Sequence, residues 1–276
     1  MSISLTAVQQ TEYDALVKAE YRSKGFLLRD SMRMRHDVTG NAVDFRKVGQ
    51  IIASPTAYQQ AVTAQDPGYV KATATLAKFT APIAIDSVQE LTVNFDSKME
   101  SALLVADAMG RRSDQICIDA LAADPGSTIL DGGTNFTYVK YTEMLEQFED
   151  NGVPLEERYV AMSANNFRKL LSAQEFTSID FTANHVIDTA VARRYLGFNL
   201  IVIPAMTEGG LPKAGNIRDA FAWQKMGVGA GIGHNFRTEI NYIPEKVSWL
   251  VNGVFSMGAV VIDNRGVQKI QCDESA

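Results

Sequence analysis

At 276 residues with 46% hydrophobic side chains, the chain is long enough to bury the core of one large domain or two smaller ones. Its net charge of -6 argues against dedicated nucleic-acid binding, which needs a concentrated cationic surface to displace counterions from phosphate. The longest apolar runs, such as "FNLIVIPAM" from Phe198, are too short to span a bilayer, and the opening residues lack a basic region followed by an apolar core. Cys117 and Cys272 form no C-x-x-C pair, so the expectation is a chain made in a reducing compartment with neither secretion signal nor membrane anchor.

Residues 8–23 read as an amphipathic helix with Val8, Tyr13, Leu16, Val17 and Tyr21 on one side, and no partner lies nearby in sequence. Between Lys18 and Arg35 six positive charges face two negative ones, a local basic arm. From Gly40 to Phe95 helical periodicity disappears. Val, Thr, Ile and Phe dominate, broken by Pro55, Pro67-Gly68 and Pro82, which predicts two long extended arms joined by a polar tip around Thr56 to Gly68. A two-stranded hairpin is marginal in water, so another surface must receive it.

Asp96 or Ser97 then starts a long helix to about Ala122, with Met99, Ala102, Leu103, Ala106, Met109, Ile116, Ala120 and Leu121 as its apolar seam and "DPGS" as its stop. The loop "DPGSTILDGGTNFT" precedes a shorter acidic helix from Tyr141 to Asp150. From Arg158 strand and helix alternate. "RYVAMS" is a strand whose Ser163 caps the helix "ANNFRKLLS", a second helix runs from Asn184 to Gly197, and the strand "FNLIVIP" comes next. After the loop "EGGLPKAGN" and the strand "DAFAWQK", the C-terminal part reads as further strands with a tight turn at Asp263 to Gly266.

The stretch "KMGVGAGIGHNFRTEI" places Gly227, Gly229, Gly231 and Gly233 at alternate positions, yet neither register completes G-x-G-x-x-G, and Phe236, Thr238, Ile240 and Tyr242 alternate in the manner of a strand. It reads as an extended segment, flexible or closely packed, with glycine where another backbone approaches or φ is positive. His36, His185 and His234 have no second ligand at metal spacing, "GK" of a Walker loop does not occur, and Ser256 in "GVFSMG" misses the spacing of a nucleophile elbow. Glu143, Glu146, Glu149 and Asp150 read as a solvated helix face, Cys117 as a buried inert thiol, and the sequon at Asn135 as an accident. No catalytic, cofactor-binding or metal-ligating residue is assigned, and the chain is not expected to be an enzyme.

The order of these parts closely resembles the major capsid proteins of tailed bacteriophages, the Hong Kong-97-type shell fold shared by encapsulin compartments. The resemblance runs from about Ala7 to Gln271, and its most specific pieces are "AIDSVQELTVNFD", "GRRSDQICIDALAAD" and "GAVVIDNRGVQKI". It implies an α+β fold with residues 1–40 as the N-arm, 41–95 as the β-hairpin E-loop, 96–156 as the peripheral domain with its spine helix, 157–233 as the α/β axial domain and 234–276 as peripheral C-terminal strands. It implies a structural protein of the virion, made in the host cytoplasm, that assembles with itself into pentamers and hexamers of an icosahedral head around double-stranded DNA, which the arm touches weakly. Scaffold, portal and decoration proteins are open as further partners, and "GVGAGIG" becomes the connection between the two domains. Some members crosslink an E-loop lysine, for which Lys47, Lys71 and Lys78 are present without one being selected. An encapsulin-like compartment shell is the rival within the fold, and a cytosolic nucleotide-using α/β enzyme is the rival from another class.

Overall fold

The computed structural model describes residues 25–62, 64–87, 97–172 and 194–276. The amphipathic helix expected over residues 8–23 and the helix expected from Asn184 lie outside the described residues, except for the latter's end.

The chain first lays down strands β1 (Arg33–Arg35), β2 (Ala42–Val48), β3 (Tyr69–Thr75) and β4 (Ala77–Asp86), followed by helix α1 (Ser97–Ala123). Helix α1 is rich in Ala, Leu and Met and free of proline, which suits a run of about 40 Å at 1.5 Å per residue. Pro125, which cannot continue a helix, lies just beyond its end. Then come β5 (Ser127–Ile129), α2 (Tyr138–Asp150), β6 (Arg158–Ser163), α3 (Ala164–Leu171), β7 (Arg194–Tyr195), β8 (Phe198–Ile203), β9 (Lys213–Ala214) and β10 (Ile217–Gln224). Strands β11 (Val228–Ile243), β12 (Ser248–Val261) and β13 (Val267–Asp273) complete the chain.

Three sheets result. One has the order β1-β11-β12-β4, a second has β5-β13-β10-β6-β8-β7 with β9 beside β10, and β2 pairs only with β3. The second sheet is apolar on both faces because its alternate residues enter different cores. Phe221 and Trp223 of β10 join α1 and the first sheet, whereas Ala220 and Ala222 meet Phe148 of α2 and Phe198 of β8.

Several expectations shift. Ser163 caps α3 as anticipated, its Oγ accepting the Asn166 amide at 3.2 Å. Residues Arg194 and Tyr195, expected in a helix ending at Gly197, pair with β8, because positive φ at Leu196 and Gly197 turns the chain back on itself. The hairpin expected over residues 41–95 is confined to β2 and β3. Strand β4 leaves it to pair along β12 from Ala77 to Asp86. Among the C-terminal strands, β11 and β12 form the first sheet, but β13 crosses to the second and pairs with β10.

The buried stripe of α1 also differs. Ser101, Val105, Met109, Asp114, Cys117, Ile118 and Leu121 face the body, while Met99 and Leu103 are 64% and 51% exposed. The physical reason lies in the neighbouring backbone. A Cβ on Gly253 of β12 would come within 2.4 Å of Val105, so only the Val105 and Met109 face can approach the sheet this closely.

Buried charges tie irregular segments to this frame. The Lys140 ammonium donates to the carbonyls of Asp131, Thr134 and Gln271 at 2.7, 2.8 and 2.9 Å. Glu274 accepts from Arg218 and Lys213 at 2.7 Å and from Ser163 at 2.9 Å, fastening the C-terminal end to β10 and α3. Asp114 does the same for the segment that precedes β1, accepting the amides of Leu27 and Leu28 at 3.1 Å while Trp223 Nε1 donates to the Ser31 carbonyl at 2.9 Å. Burial pushes the Asp114 carboxyl above its usual range, against the downward pull of these amides. Asp114→Ala leaves two amides unsatisfied and is expected to destabilise the chain by on the order of 2–4 kcal/mol in denaturant titration. Asp114→Asn, with one acceptor oxygen, should fall between the two, and equal stability of all three chains would refute the anchoring role.

Candidate assembly surface

The β2–β3 ribbon leans on the first sheet through Val43, Phe45, Ala74 and Leu76, which are buried together with the flanks of Val260 and Ile262. Period-2 alternation turns Asp44 and Arg46 the other way, and both are exposed. The seat beneath the ribbon is lined with glycine. A Cβ on Gly229 would stand 2.7 Å from the Phe45 ring, one on Gly231 2.4 Å from Val43, one on Gly233 2.9 Å from Leu76, and one on Gly258 only 2.1 Å from the Thr75 carbonyl. The alternating glycines of the sequence are therefore a closely packed strand, with all three of Gly229, Gly231 and Gly233 in β11. Positive φ is not needed at any of Gly227, Gly229, Gly231 or Gly233.

A latch closes the seat. Lys47 of β2 reaches Asp263 at 2.7 Å, and the same carboxylate pairs with Arg265 at 2.9 Å and caps the turn after β12. Burial alone would raise the Asp263 carboxyl, but the bonds from Arg265 and Lys47 outweigh it and hold it down at about 2.

Beyond the latch the ribbon leaves the body. Its tip is organised by its own bonds: Gly49 N–H to the Gly68 carbonyl at 2.9 Å, and Gln65 exchanging two bonds with Ile52 at 3.1 and 2.9 Å. Lys71 pairs with Asp44 across the strands at 2.8 Å. Yet Val48, Ile51, Ile52, Tyr58, Val62, Tyr69 and Val70 are all exposed, Ile52 at 81% and Tyr58 fully. Met99, Leu103 and Leu104 form a second exposed apolar stripe, on the N-terminal half of α1. So many large apolar side chains left exposed on one ribbon are what an interaction surface would present.

The residues weighed for chemistry do not converge. Cys117 and Cys272 are buried free thiols, pushed up by burial, Cys272 to about 12. Ser256 lies within β12 and its Oγ accepts the His234 amide at 2.7 Å, while His234 Nδ1 sits 2.7 Å from the Asn235 carbonyl. His36 is exposed beside β1, and His185 lies outside the described residues. Glu149 is paired with the buried Arg158 at 2.7 Å, and Glu143, Glu146 and Asp150 are exposed. Asn135 is buried, its Oδ1 accepting the Phe136 amide at 2.7 Å. Of the lysines, Lys47 and Lys71 are paired and Lys78 is exposed on β4, and this does not select one for a crosslink. No group of three or more His, Cys, Asp or Glu side chains lies close enough among the described residues to hold a metal ion. No described helix is long and apolar enough to cross a membrane.

Sequence reasoning placed Asp263 in its turn and Gly253 and Gly258 in one run but missed what they hold, and it missed Asp114. The small-residue spacing in "NGVFSMGA" and a lone acid on an otherwise apolar helix seam were the available signals.

Comparison with known proteins places this architecture. Residues 4–274 match the model of a family described as phage capsid protein. No curated protein matches by sequence. Among solved structures, the capsid of the cyanophage P-SCSP1u aligns with a TM-score of 0.72 at 16% identity, covering 90% of this chain and 88% of that one. The head structure of the Helicobacter pylori bacteriophage KHP40 aligns with a TM-score of 0.72 at 10% identity over 88% of both chains. A structure titled Mycobacterium phage Che8 gives 0.67 at 15% identity over 86% of both.

The seat and the latch each generate an expected outcome. Gly231→Val overpacks the seat against Val43, a change expected to cost about 1–3 kcal/mol locally. Amide exchange of Val43 to Lys47 should accelerate while that of β10 stays unchanged, and unaltered protection at Val43 would refute the seat. The Asp263 carboxyl is held below its ordinary value of 3.8, so its contribution is complete above that pH and is lost as pH falls through about 2. Exchange at the ribbon root should therefore rise across that window in the parent chain, and Lys47→Ala should weaken the dependence.

Proposed function

Because the chain belongs to the phage capsid protein family and is thus a structural capsid protein rather than an enzyme, we propose that sister copies cover its ribbon and gather it into the pentamers and hexamers of an icosahedral head around double-stranded DNA. The observation that carries this reading is the split burial of the ribbon, with its root seated on glycine and its apolar outer part covered by nothing among the described residues. Each Å² of apolar surface hidden contributes about 25 cal/mol before association costs, so one ribbon docked on one neighbour is modest and a closed shell of them is large. A net charge of -6 suits a container, since a strongly cationic inner wall would hold DNA too tightly to pack and release.

In this reading residues 1–40 are the N-arm, and the E-loop is the β2–β3 part of residues 41–95. The peripheral domain is built on α1 with β4, β11 and β12, while α2 and β13, expected in it over residues 96–156 and 234–276, pack with the second sheet and go with α3 to the axial domain. Scaffold and portal proteins are the further partners such a head would use. The exposed stripe of Met99, Leu103 and Leu104 on α1 is a receiving surface of the right chemistry for a neighbour's ribbon.

The triple change Ile51→Ser, Ile52→Ser and Tyr58→Ser removes apolar surface that folding does not use. It should leave the melting temperature of the unassembled chain within about 2 °C of the parent's, since surface substitutions rarely exceed 0.5 kcal/mol. In sedimentation and negative-stain microscopy, megadalton particles of the parent should give way to small soluble species. A parent chain that stays a compact monomer at high concentration, or a variant that assembles as readily as the parent, would sink the proposal.

A further inference from the structure

We propose that the cleft between β1 and β2 is a docking site for carboxylates of a second copy of this chain, an inference that rests on the shell assembly argued above. The cleft has a volume of about 620 Å³, and its lining includes Arg33, Arg35, His36 and Arg46 together with Asp37 and Asp44. Arg33 and Arg35 leave β1 on the same side, two residues apart, and their guanidinium carbons stand 5.8 and 5.6 Å from the centre of the buried Phe45 ring. The ring's electron-rich face holds both forks in place before any ligand arrives. Arg46 projects from the outward side of β2 into the same cleft.

The carboxylates nearest these forks are already engaged. Asp44 is taken by Lys71 and the Thr73 hydroxyl, both at 2.8 Å, and Asp37 accepts from Asn235 at 3.3 Å. Arg46 shares the field of Asp44 with Lys71, whereas no ion pair among the described residues takes Arg33 or Arg35. A planar fork binds a carboxylate through two parallel bonds, and the two forks of Arg33 and Arg35, with Arg46 across the recess, suit one such group.

Duplex phosphate is the alternative anion, and the mixed charge of the lining argues against it. A duplex presents a charge about every 1.7 Å along its axis and would bring several phosphates against a lining that also holds Asp37 and Asp44, whereas a single carboxylate needs only the forks of Arg33 and Arg35. Sister copies, each carrying -6, repel one another overall, yet charges farther apart than about 8 Å are largely screened at physiological salt. Local complementarity then decides the contact. The surface also offers the counterpart: Glu143, Glu146 and Asp150 of α2 are exposed and have no ion-pair partner among the described residues.

The test begins with a density map of assembled parent particles at side-chain resolution. The expected result is an Asp or Glu of a neighbouring copy at ion-pair distance from Arg33, Arg35 or Arg46. A cleft that is empty, filled by nucleic acid, or filled by residues 1–24 of the same chain overturns the inference while leaving the shell itself intact. R33E/R35E should raise the concentration needed for assembly at least tenfold with the melting temperature kept, and R33K/R35K, which preserves charge but not the fork, should fall between. Assembly of R33E/R35E at the parent's concentration overturns it, as do normal particles that merely fail to retain DNA. Should R33E/R35E not fold, the exposed R46E and the map decide. Absence of particles from the parent chain would instead refute the shell reading.

Discussion

A ribbon of two strands has a face to bury and nothing of its own to bury it against. Everything that reaches outside the body of this protein depends on how the root of that ribbon is held. Here it is held by subtraction: Gly229, Gly231, Gly233 and Gly258 remove the side chains that would stand between the first sheet and Val43, Phe45, Leu76 and the Thr75 carbonyl. The backbone of the sheet becomes the floor of the seat. Lys47 and Asp263 then fix the ribbon at the point where burial stops.

That boundary separates two kinds of apolar residue. Below it, side chains stabilise the fold of one chain; above it, Ile51, Ile52 and Tyr58 are surplus to that fold and available to another surface. The same division runs along α1, whose C-terminal half is packed between the two large sheets while Met99, Leu103 and Leu104 stay outside. A shell protein needs this separation, because a body that required its neighbours in order to fold could not survive before they arrived. The buried charges serve the body side. Asp114, Lys140 and Glu274 each have several partners and each clamps an irregular segment to a regular element, which meets the hydrogen-bonding demand of backbone outside helices and sheets.

Much of the local structure was legible in advance. The extent of α1, a hairpin whose tip closes at Gly68, the Ser163 cap and the strand after Gly197 arise from periodicity, proline placement and capping chemistry, which act over a few residues. The seam of α1 differs because Met99 and Leu103 are apolar at helical spacing, and spacing does not tell a face that meets its own sheet from one left exposed. Arg194 and Tyr195 were drawn into a helix by composition, although the turn at Leu196 and Gly197 had already reversed the backbone. The glycines of β11 were readable as close approach or as freedom of φ, and only the position of Phe45 and Val43 chose between them.

By itself the sequence determined most of the stretches that would be helix, strand or turn, that a two-stranded ribbon would need a surface beyond itself, and that no familiar catalytic spacing was present. Those properties depend on interactions between residues close together in the chain. The tertiary structure alone decided that β4 leaves the hairpin for β12, that β13 crosses to the second sheet, and that Asp263 and Asp114 become anchors for segments 216 and 87 residues away. The reason is physical: pairing between distant segments is set by which backbones can approach and which polar groups are left to satisfy. Neither is written in the neighbourhood of any one residue.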